Sequence, residues 1–300
     1  MNELAPEISI SVINTNNREI ALQCLESIYA NLGSLNLEVI LVNNACTDGS
    51  TAIIRQRYPQ VEIIEHEQLL GFSTNNNLAL QRARGRYLMI LNDDTIILPG
   101  AFQAMVAFMD QNPQAGVAGA ALLNRDGSAQ YCYDFIPNPL YEGLRPISEY
   151  LMPHPDGKGK PLETGYVGGA CLMARASAVR TVGLLDTRFD PLYSEEVDWC
   201  YRFKKDGWKI YHLPQAQVIH LGEVLARRSS PARYERIYAQ KTVFFRKHYG
   251  EFGAWSYKLT LWVVNLAKAV TWRLLDLAGK KEAPDEFKTH WKIVLRALKF

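Results

Sequence analysis

Two short acidic clusters, far apart in the chain, carry the side chains best suited to chemistry. The first, Asn92-Asp93-Asp94-Thr95, abruptly ends the apolar run Tyr87–Leu91. Adjacent carboxylates beside an amide offer the oxygen ligands that a hard divalent cation prefers. A cation held there would neutralise a diphosphate. The same residues also suit a plain turn, with Asp or Asn capping the next helix. The second cluster, Ser194-Glu195-Glu196-Val197-Asp198, opens a segment with Val197, Cys200 and Tyr201 as an apolar stripe. Carboxylates in a first helical turn are favoured by the helix dipole, by ~0.3–1 kcal/mol each. They can equally serve as a general base that takes a proton from an attacking sugar hydroxyl. Glu195 and Asp198 share a helix face, and Glu196 stands about a third of a turn away. His220 ends a further apolar stretch and is a candidate ligand beside a candidate metal carboxylate. Arg227 and Arg228 follow in a polar segment, either as a diphosphate clamp or as a solvated pair.

These residues need elements to position them. Ile8–Asn14, Leu37–Val42 and Val61–Ile64 read as buried strands, and Tyr87–Leu91 as a fourth. Helical spacing appears between them, as in Ile20, Ala21, Cys24, Leu25 and Ile28. Asn16 or Asn17 suits the cap of that helix, and Asp48 and Ser50 suit the next. Gly71–Asn77 reads as a polar loop opening a helix through Arg84. Strand–helix alternation predicts right-handed parallel crossovers. The Asn- and Asp-bearing ends of strands one, two and four then converge at one sheet edge, where α/β folds bind ligands. A helix from Pro99 to about Gln111 and strands over Ala115–Leu123 and Ala129–Asp134 are expected next. Ile136–Glu163 is a long irregular connection, of the kind that is usually functional or mobile. Thr164–Arg175 is strand-like. Gly168-Gly169 within it permits close approach by a ligand or another backbone. Lys209–Leu213 and Ala216–Ile219 read as two short strands.

Composition narrows the class. The chain has 300 residues, enough for one large α/β domain with an appendage. Its five cysteines are scattered without a CxxC pair, which argues for a reducing compartment and against a zinc site. The N-terminus lacks the pattern of a signal peptide, and no stretch has the ~20 apolar residues of a membrane span. A cytoplasmic protein is expected. No GxGxxG follows the first strand and no GxxxxGK[ST] occurs, which disfavours dinucleotide-binding and P-loop enzymes. Lys241–Phe300 carries twelve Lys and Arg against five Asp and Glu, so the tail is strongly basic. Anionic lipid is one partner for such a tail and nucleic acid another. No aromatic-basic sheet or recognition helix supports the second.

Taken together, the motifs resemble the inverting nucleotide-sugar glycosyltransferases of family 2, especially the rhamnosyltransferase-like branch. The family's opening V-N-Y-N is similar to Val12-Ile13-Asn14-Thr15-Asn16. Its V-D-N-A-S-T-D-G-S is similar to Val42–Ser50, and its G-F-A-G-G-N-N to Gly71–Asn77. Its L-N-x-D-T resembles Leu91–Thr95, its E-D-x-D resembles Glu195–Asp198, and its downstream histidine resembles His220. The six motifs stand in the family's order between about residues 8 and 250.

The resemblance implies an A-type glycosyltransferase fold: a mostly parallel nucleotide-binding sheet flanked by helices over residues 1–230, with a helical extension over 231–300. It implies donor binding by Asn14, Thr15, Asn16, Asn43, Gly71, Asn76, Asn92 and Asp93. Asp94 and His220 would hold Mg or Mn, and Glu196 would be the base. Gly168, Gly169, Glu195 and Asp198 would lie on the acceptor side. The expected reaction moves a hexose, such as rhamnose, to a hydroxyl of a glycan or polyprenyl-linked saccharide in polysaccharide or cell-wall synthesis. Two departures keep a catalytically impaired sugar- or partner-binding protein as the alternative. The family's base-binding aspartate is Asn43 here, and its usual catalytic aspartate is Glu196. A nucleotidyltransferase would want a glycine-rich loop after strand one, which Asn14–Arg18 lacks.

The tail has its own pattern. Trp255, Leu259, Trp262, Val263, Leu266, Val270, Leu274 and Leu277 form a stripe at helical spacing, interrupted by Lys258, Lys268 and Arg273. Such a helix can lie in the interface of an anionic membrane, here at the inner face. Its other possible partners are the catalytic domain and a twin subunit.

Overall fold

The computed structural model describes residues 5–139, 141–142, 159–222, 231–281 and 283–300. Arg227 and Arg228, with most of the expected 136–163 connection, lie outside them. The chain divides into two compact units, Met1–Ile136 with His154–Leu225, and Pro137–Pro153 with Ala226–Phe300. The second therefore takes in part of the connection as well as the C-terminal helices.

The first unit is built on runs of Ile, Val and Leu that bury both faces of a strand. β1 (Ile8–Asn14), β2 (Leu37–Asn44), β3 (Glu62–His66) and β4 (Tyr87–Asn92) pair in parallel, in the order β3-β2-β1-β4. Residues Ile8, Ile10 and Val12 of β1 are wholly buried. Two helices illustrate how the flanks are covered. α1 (Arg18–Ala30) buries Ala21, Leu22, Cys24, Leu25 and Ile28, and α4 (Ala101–Gln111) buries Phe102, Met105, Val106 and Met109. Each set recurs at three- and four-residue steps, the spacing of one helix face. Between them come α2 (Ser50–Arg57), α3 (Phe72–Leu80) and the three-residue β5 (Thr95–Ile97). The segment Gly71–Asn77, expected as a loop, mostly forms the first turns of α3.

Beyond β4 the sheet becomes mixed. β6 (Ala115–Leu123) is buried throughout, and β10 (Cys171–Arg175) runs antiparallel between β4 and β6. β11 is a single strand, Lys209–His220, not the two short strands expected. Its register against β6 shifts between Leu213 and Gln217, so a bulge absorbs the Pro214 that suggested a break. β5 lies on the far side of β11. The expected strand Thr164–Arg175 is divided into β8 (Leu162–Thr164), β9 (Tyr166–Val167) and β10, with breaks at Gly165 and Gly168–Ala170. A Cβ on Gly165 would stand 2.2 Å from the backbone nitrogen of Ile136, so only glycine lets these segments approach. Of the strand expected over Ala129–Asp134, only β7 (Tyr133–Asp134) forms, paired with β9. α5 (Ala176–Val182) and α6 (Glu195–Lys205) complete this unit, and all five cysteines carry free thiols.

His212, on β11, is 2% exposed and stacks on Tyr133 with 4.4 Å between ring centroids. Burial lowers its pKa from 6.5 to about 4. Between those values the unfolded chain binds a proton that the folded chain does not, so stability is lost as pH falls through that window. The loss reaches roughly 3 kcal/mol at the acid end. Denaturant titrations from pH 7 to 4 should show that limb, and His212→Phe should flatten it.

The second unit consists mainly of α7 (Pro231–Leu277) and α8 (Ala283–Arg296). At Gly250 the backbone takes φ 71° and ψ −173°, which no helix contains, so α7 is two helices meeting at a glycine.

Candidate functional site

The polar ends of the parallel strands lie side by side. Asn14 pairs in register with Asn43, and Ile13 with Asn92. Amide side chains lock the loops that leave these strands. Asn14 Nδ2 donates to Ser50 Oγ at 2.8 Å, and Asn14 Oδ1 accepts from the backbone N–H of Asn17. Thr15 Oγ1 accepts from Asn44 Nδ2 at 3.1 Å, and Asn16 Oδ1 accepts from the N–H of Thr47 at 2.7 Å. Asn16 has φ 51°, a left-handed conformation that Asn tolerates better than most residues. Asn17 makes no side-chain cap on α1. Asp48 instead accepts from the N–H of Arg18 and from that of Ser50, so it tethers the starts of two helices.

Asn43 is placed differently from a residue awaiting a base. Its Oδ1 accepts from the N–H of Cys46 at 2.7 Å, and its Nδ2 donates to Thr51. One Oδ1 lone pair remains for a ligand, without charge behind it. Asn76 is 1% exposed, accepts from Ser11 Oγ and donates to the carbonyl of Phe72, so it ties α3 to β1. Both ends of its amide are engaged in these bonds. Gly71 precedes α3 where Asp190 caps it. The Asp190 carboxylate accepts from the N–H of Ser73 and from Thr74 Oγ1, and a Cβ on Gly71 would stand 2.2 Å from Asp190 Cγ. Gly71 is thus required for closure onto that carboxylate.

The first acidic cluster meets His220 because β5 and β11 pair antiparallel, with Thr95 opposite His220. Asp94, 7% exposed, has Oδ1 3.3 Å from His220 Nε2, and the Asp94 carbonyl accepts from the N–H of Leu221. Asn92 Nδ2 lies 3.4 Å from the same His220 nitrogen. The other ring nitrogen, Nδ1, is 2.9 Å from Gln130 Oε1. Gln130 Nε2 donates to the His220 carbonyl at 2.6 Å and to Asn124 Oδ1 at 2.8 Å. Turning the Gln130 amide over would lose both bonds, so its oxygen faces Nδ1 and Nδ1 carries the proton. The Nε2 lone pair then faces the Asp94 carboxylate. Asn92 Nδ2 is within donating distance of that lone pair, and a cation between Nε2 and the carboxylate would offset the repulsion that remains.

Cis ligands ~2.1 Å from an octahedral ion stand ~3 Å apart, close to the spacing seen here. Asp93, half-buried next door, has its pKa raised to about 7, first by burial and then by the Asp94 charge. A cation would relieve that repulsion as well. The residues therefore fit a divalent metal, for which Asp94 and His220 could supply two ligands. Among the described residues no group of three or more His, Cys, Asp or Glu gathers that could hold a metal ion by itself. Two protein ligands would leave the other positions to oxygen donors from outside the chain.

Gln130 escaped sequence reading because nothing local marks it; it meets His220 across 90 residues. Outer-shell partners of a metal-ligating histidine are typically worth 10–100-fold in affinity. Gln130→Leu should therefore weaken Mn binding by roughly tenfold or more, as read by calorimetry, without unfolding the chain.

The second cluster opens α6. Tyr193 and Ser194, at φ 88° and 70°, turn the chain sharply into it. Glu196 is half-buried, and a Cβ on Gly169 would lie 3.7 Å from Glu196 Cβ and 3.6 Å from Phe72. The next residue, Ala170, accepts from the N–H of Asn92 at 3.0 Å. A link of two residues, Gly169-Ala170, therefore lies between the end of β4 and the Glu196 Cβ on α6. Glu195 is 4% exposed, and its Oε2 has no hydrogen-bond partner among the described residues. Burial first, then the charge of Glu196, raises its pKa well above the usual carboxylate range. Asp198 is wholly buried and ion-paired with Arg202 at 2.8 Å. Arg202 also donates to the carbonyls of Val182 and Leu184, so the pair holds a turn in place. Asp198, expected on the acceptor side, is thus engaged by Arg202. Gly168 donates its N–H to the carbonyl of Cys132 at 2.7 Å.

A family model for "Glycosyl transferase family 2" matches residues 9–181. The chain belongs to glycosyltransferase family 2. An N-acetylglucosaminyl-diphospho-decaprenol L-rhamnosyltransferase of Mycobacterium tuberculosis is 27% identical over 204 residues, which span 61% of this chain and 66% of that relative. A low-salt glycan biosynthesis hexosyltransferase of Haloferax volcanii is 24% identical over 224 residues, 71% of this chain and 67% of the relative. Among solved structures, a mannosyltransferase of Pyrobaculum calidifontis in complex with GDP-Man and Mn2+ aligns over 99% of this family 2 chain and 87% of its own, with TM-score 0.61 and 15% identity. The fold is that of the A-type glycosyltransferases, as the resemblance implied.

Proposed function

We propose that the chain transfers a sugar from a nucleoside-diphosphate sugar to a hydroxyl of a glycan or lipid-linked glycan, in one displacement with inversion. The observation that carries the reading is the placement of Glu196 next to Gly169-Ala170, the turn that bonds the end of β4 at Asn92, with Asp94 Oδ1 just beyond that end and 3.3 Å from His220 Nε2. Glu196 takes the proton from the acceptor hydroxyl as its oxygen attacks the anomeric carbon. Glu195 is buried beside that base, and burial first, then the Glu196 charge, pushes its pKa upward. Asp94 and His220 would hold Mg or Mn, which supplies positive charge to the departing diphosphate. Asn92 stands beside that pair to orient the donor. The loops of Asn14–Asn16 and Asn43–Asp48 frame the nucleoside.

The relatives suggest the acceptor class: one acts on a diphospho-decaprenol-linked sugar and another serves glycan biosynthesis. The test is release of nucleoside diphosphate from a panel of UDP-, GDP- and dTDP-sugars with Mn and a polyprenyl-diphosphate saccharide. The reading requires release that depends on the acceptor. Tight binding of a donor with no turnover for any member would favour a catalytically silent binding protein.

A further inference from the structure

The longest helix has two apolar faces, and its own unit covers one of them. After Gly250, α7 buries Ala254, Tyr257, Leu261, Asn265 and Ala269 at steps of three and four. Leu261 clusters with Ile293 and Ala297 at and beyond the end of α8. Tyr257 stacks on Phe245 with 4.5 Å between centroids. The opposite face carries Phe252, Trp255, Leu259, Val263, Val270 and Leu274, all solvent-exposed, with Phe252 at 82%. These are largely the residues whose spacing in the sequence suggested a buried seam or an interfacial helix, and the structure leaves them open to solvent.

From Phe252 to Leu277 the row runs about 37 Å at the helical rise. Helical geometry puts one charged side chain on it, Arg273, which pairs with Asp276 at 2.6 Å. α8 adds Trp291, followed by Leu295 and Leu298, also exposed. The two rows adjoin, because the Arg273 guanidinium lies 5.7 Å from the centre of the Phe287 ring, which stacks on Trp291. Soluble monomers seldom leave so long an apolar row facing water.

Two further observations say what covers it. At the N-terminal end of the row, Arg246, Lys258, Phe252 and Trp255 are among the residues lining a cleft of about 340 Å3. Arg246 is already paired with Glu251, and Lys258 supplies a second cation. The last sixty residues carry twelve Lys and Arg against five Asp and Glu. A second copy docked on this face would bring two strongly positive units together. Among the described residues no helix is long and apolar enough to cross a membrane.

We propose that this face docks on an anionic lipid bilayer, with the apolar row lying in the interface and the Arg246–Lys258 cleft against acidic headgroup phosphates. Aromatic, aliphatic and cationic groups are then each at the depth they prefer, and the helix lies along the surface. The proposal rests on the second unit alone and does not require the transferase reading.

The test uses the full chain and sucrose-gradient flotation with phosphatidylcholine vesicles, with and without phosphatidylglycerol. The chain should float with the anionic vesicles. Val263→Glu combined with Leu274→Glu should lower the bound fraction at least about tenfold. Both sites are exposed, so circular dichroism should remain unchanged. Arg246→Gln with Lys258→Gln should weaken binding to anionic vesicles about tenfold and leave the weaker binding to neutral vesicles as it was. Turnover on a water-soluble acceptor should be the same in the glutamate variant, which separates this idea from the transferase reading. Equal flotation of wild type and the glutamate variant would overturn the proposal. So would a wild-type chain that never floats but doubles its mass in light scattering, with the glutamate variant returning to the monomer.

Discussion

Replacing Glu196 with glutamine is expected to lower turnover about a thousandfold while leaving donor affinity within about twofold. Glutamine keeps the size and most of the hydrogen bonding of the side chain. It loses the one property a base needs, a lone pair basic enough to take a hydroxyl proton. The Glu196 Cβ lies 3.7 Å from where a Cβ on Gly169 would stand, and the amide leaves that spacing unchanged. Glu195→Gln is the matching control. Glu195 is 4% exposed, so its carboxyl is shielded from an acceptor hydroxyl, and that burial pushes its pKa upward. Its loss should cost turnover less than about tenfold. Single-turnover rates and donor titrations on both variants decide the matter. If Glu196→Gln retains full turnover, Glu196 is not the base; if the Glu195 variant is the dead one, the roles are reversed.

The longer side chain at this position, where the family uses aspartate, has a structural counterpart. Glycine at 169 leaves room above the Glu196 Cβ that a larger residue would fill. Gly169→Ala places its new methyl in ordinary contact with Glu196 and Phe72, so the fold tolerates it. Its effect should then fall on the acceptor side of the reaction rather than on stability.

How far the sequence disclosed this molecule depended on whether a signal was local. Buried strands announced themselves as apolar runs, and the four parallel ones form where they were expected because each is decided by its own residues. The acid clusters were legible for the same reason, since residue type and spacing define them. What failed was long-range. Pro214 looked like a strand end, but pairing with β6 carries β11 through it with a bulge. Asn43 and Asn76 read from the sequence only as amides near a ligand edge; that they also hold loops and helices in place, through Cys46, Thr51 and Ser11, shows only in the fold. Asp198 resembled its neighbours until Arg202, one turn later, was seen to close on it. Gln130 and Asp190 carried no signal at all, because their importance lies wholly in partners brought near by the fold.

Asp94 tests the metal side of the same proposal. Asp94→Ala is expected to abolish measurable Mn binding and to lower turnover about a thousandfold or more, since an anionic oxygen ligand is lost from a set of two. Chelation of the wild type should reproduce the loss, and added Mn should restore the wild type only. Asp94→Asn keeps the shape and one neutral oxygen, so it should fall between the two. The tautomer argument makes the order of the series specific. Gln130→Leu leaves both ligands in place and frees the imidazole to turn or to exchange its proton, so its cost should be smaller than that of either ligand. His220→Ala removes a ligand outright and should rank with Asp94→Ala. If Nε2 instead carries a proton that pairs with Asp94, Mn affinity will be unmoved by Gln130→Leu and turnover will survive chelator. The 3.3 Å between Asp94 Oδ1 and His220 Nε2 is close to the spacing of neighbouring ligands on one octahedral ion, the arrangement that the first ordering requires at the point where a departing diphosphate needs positive charge.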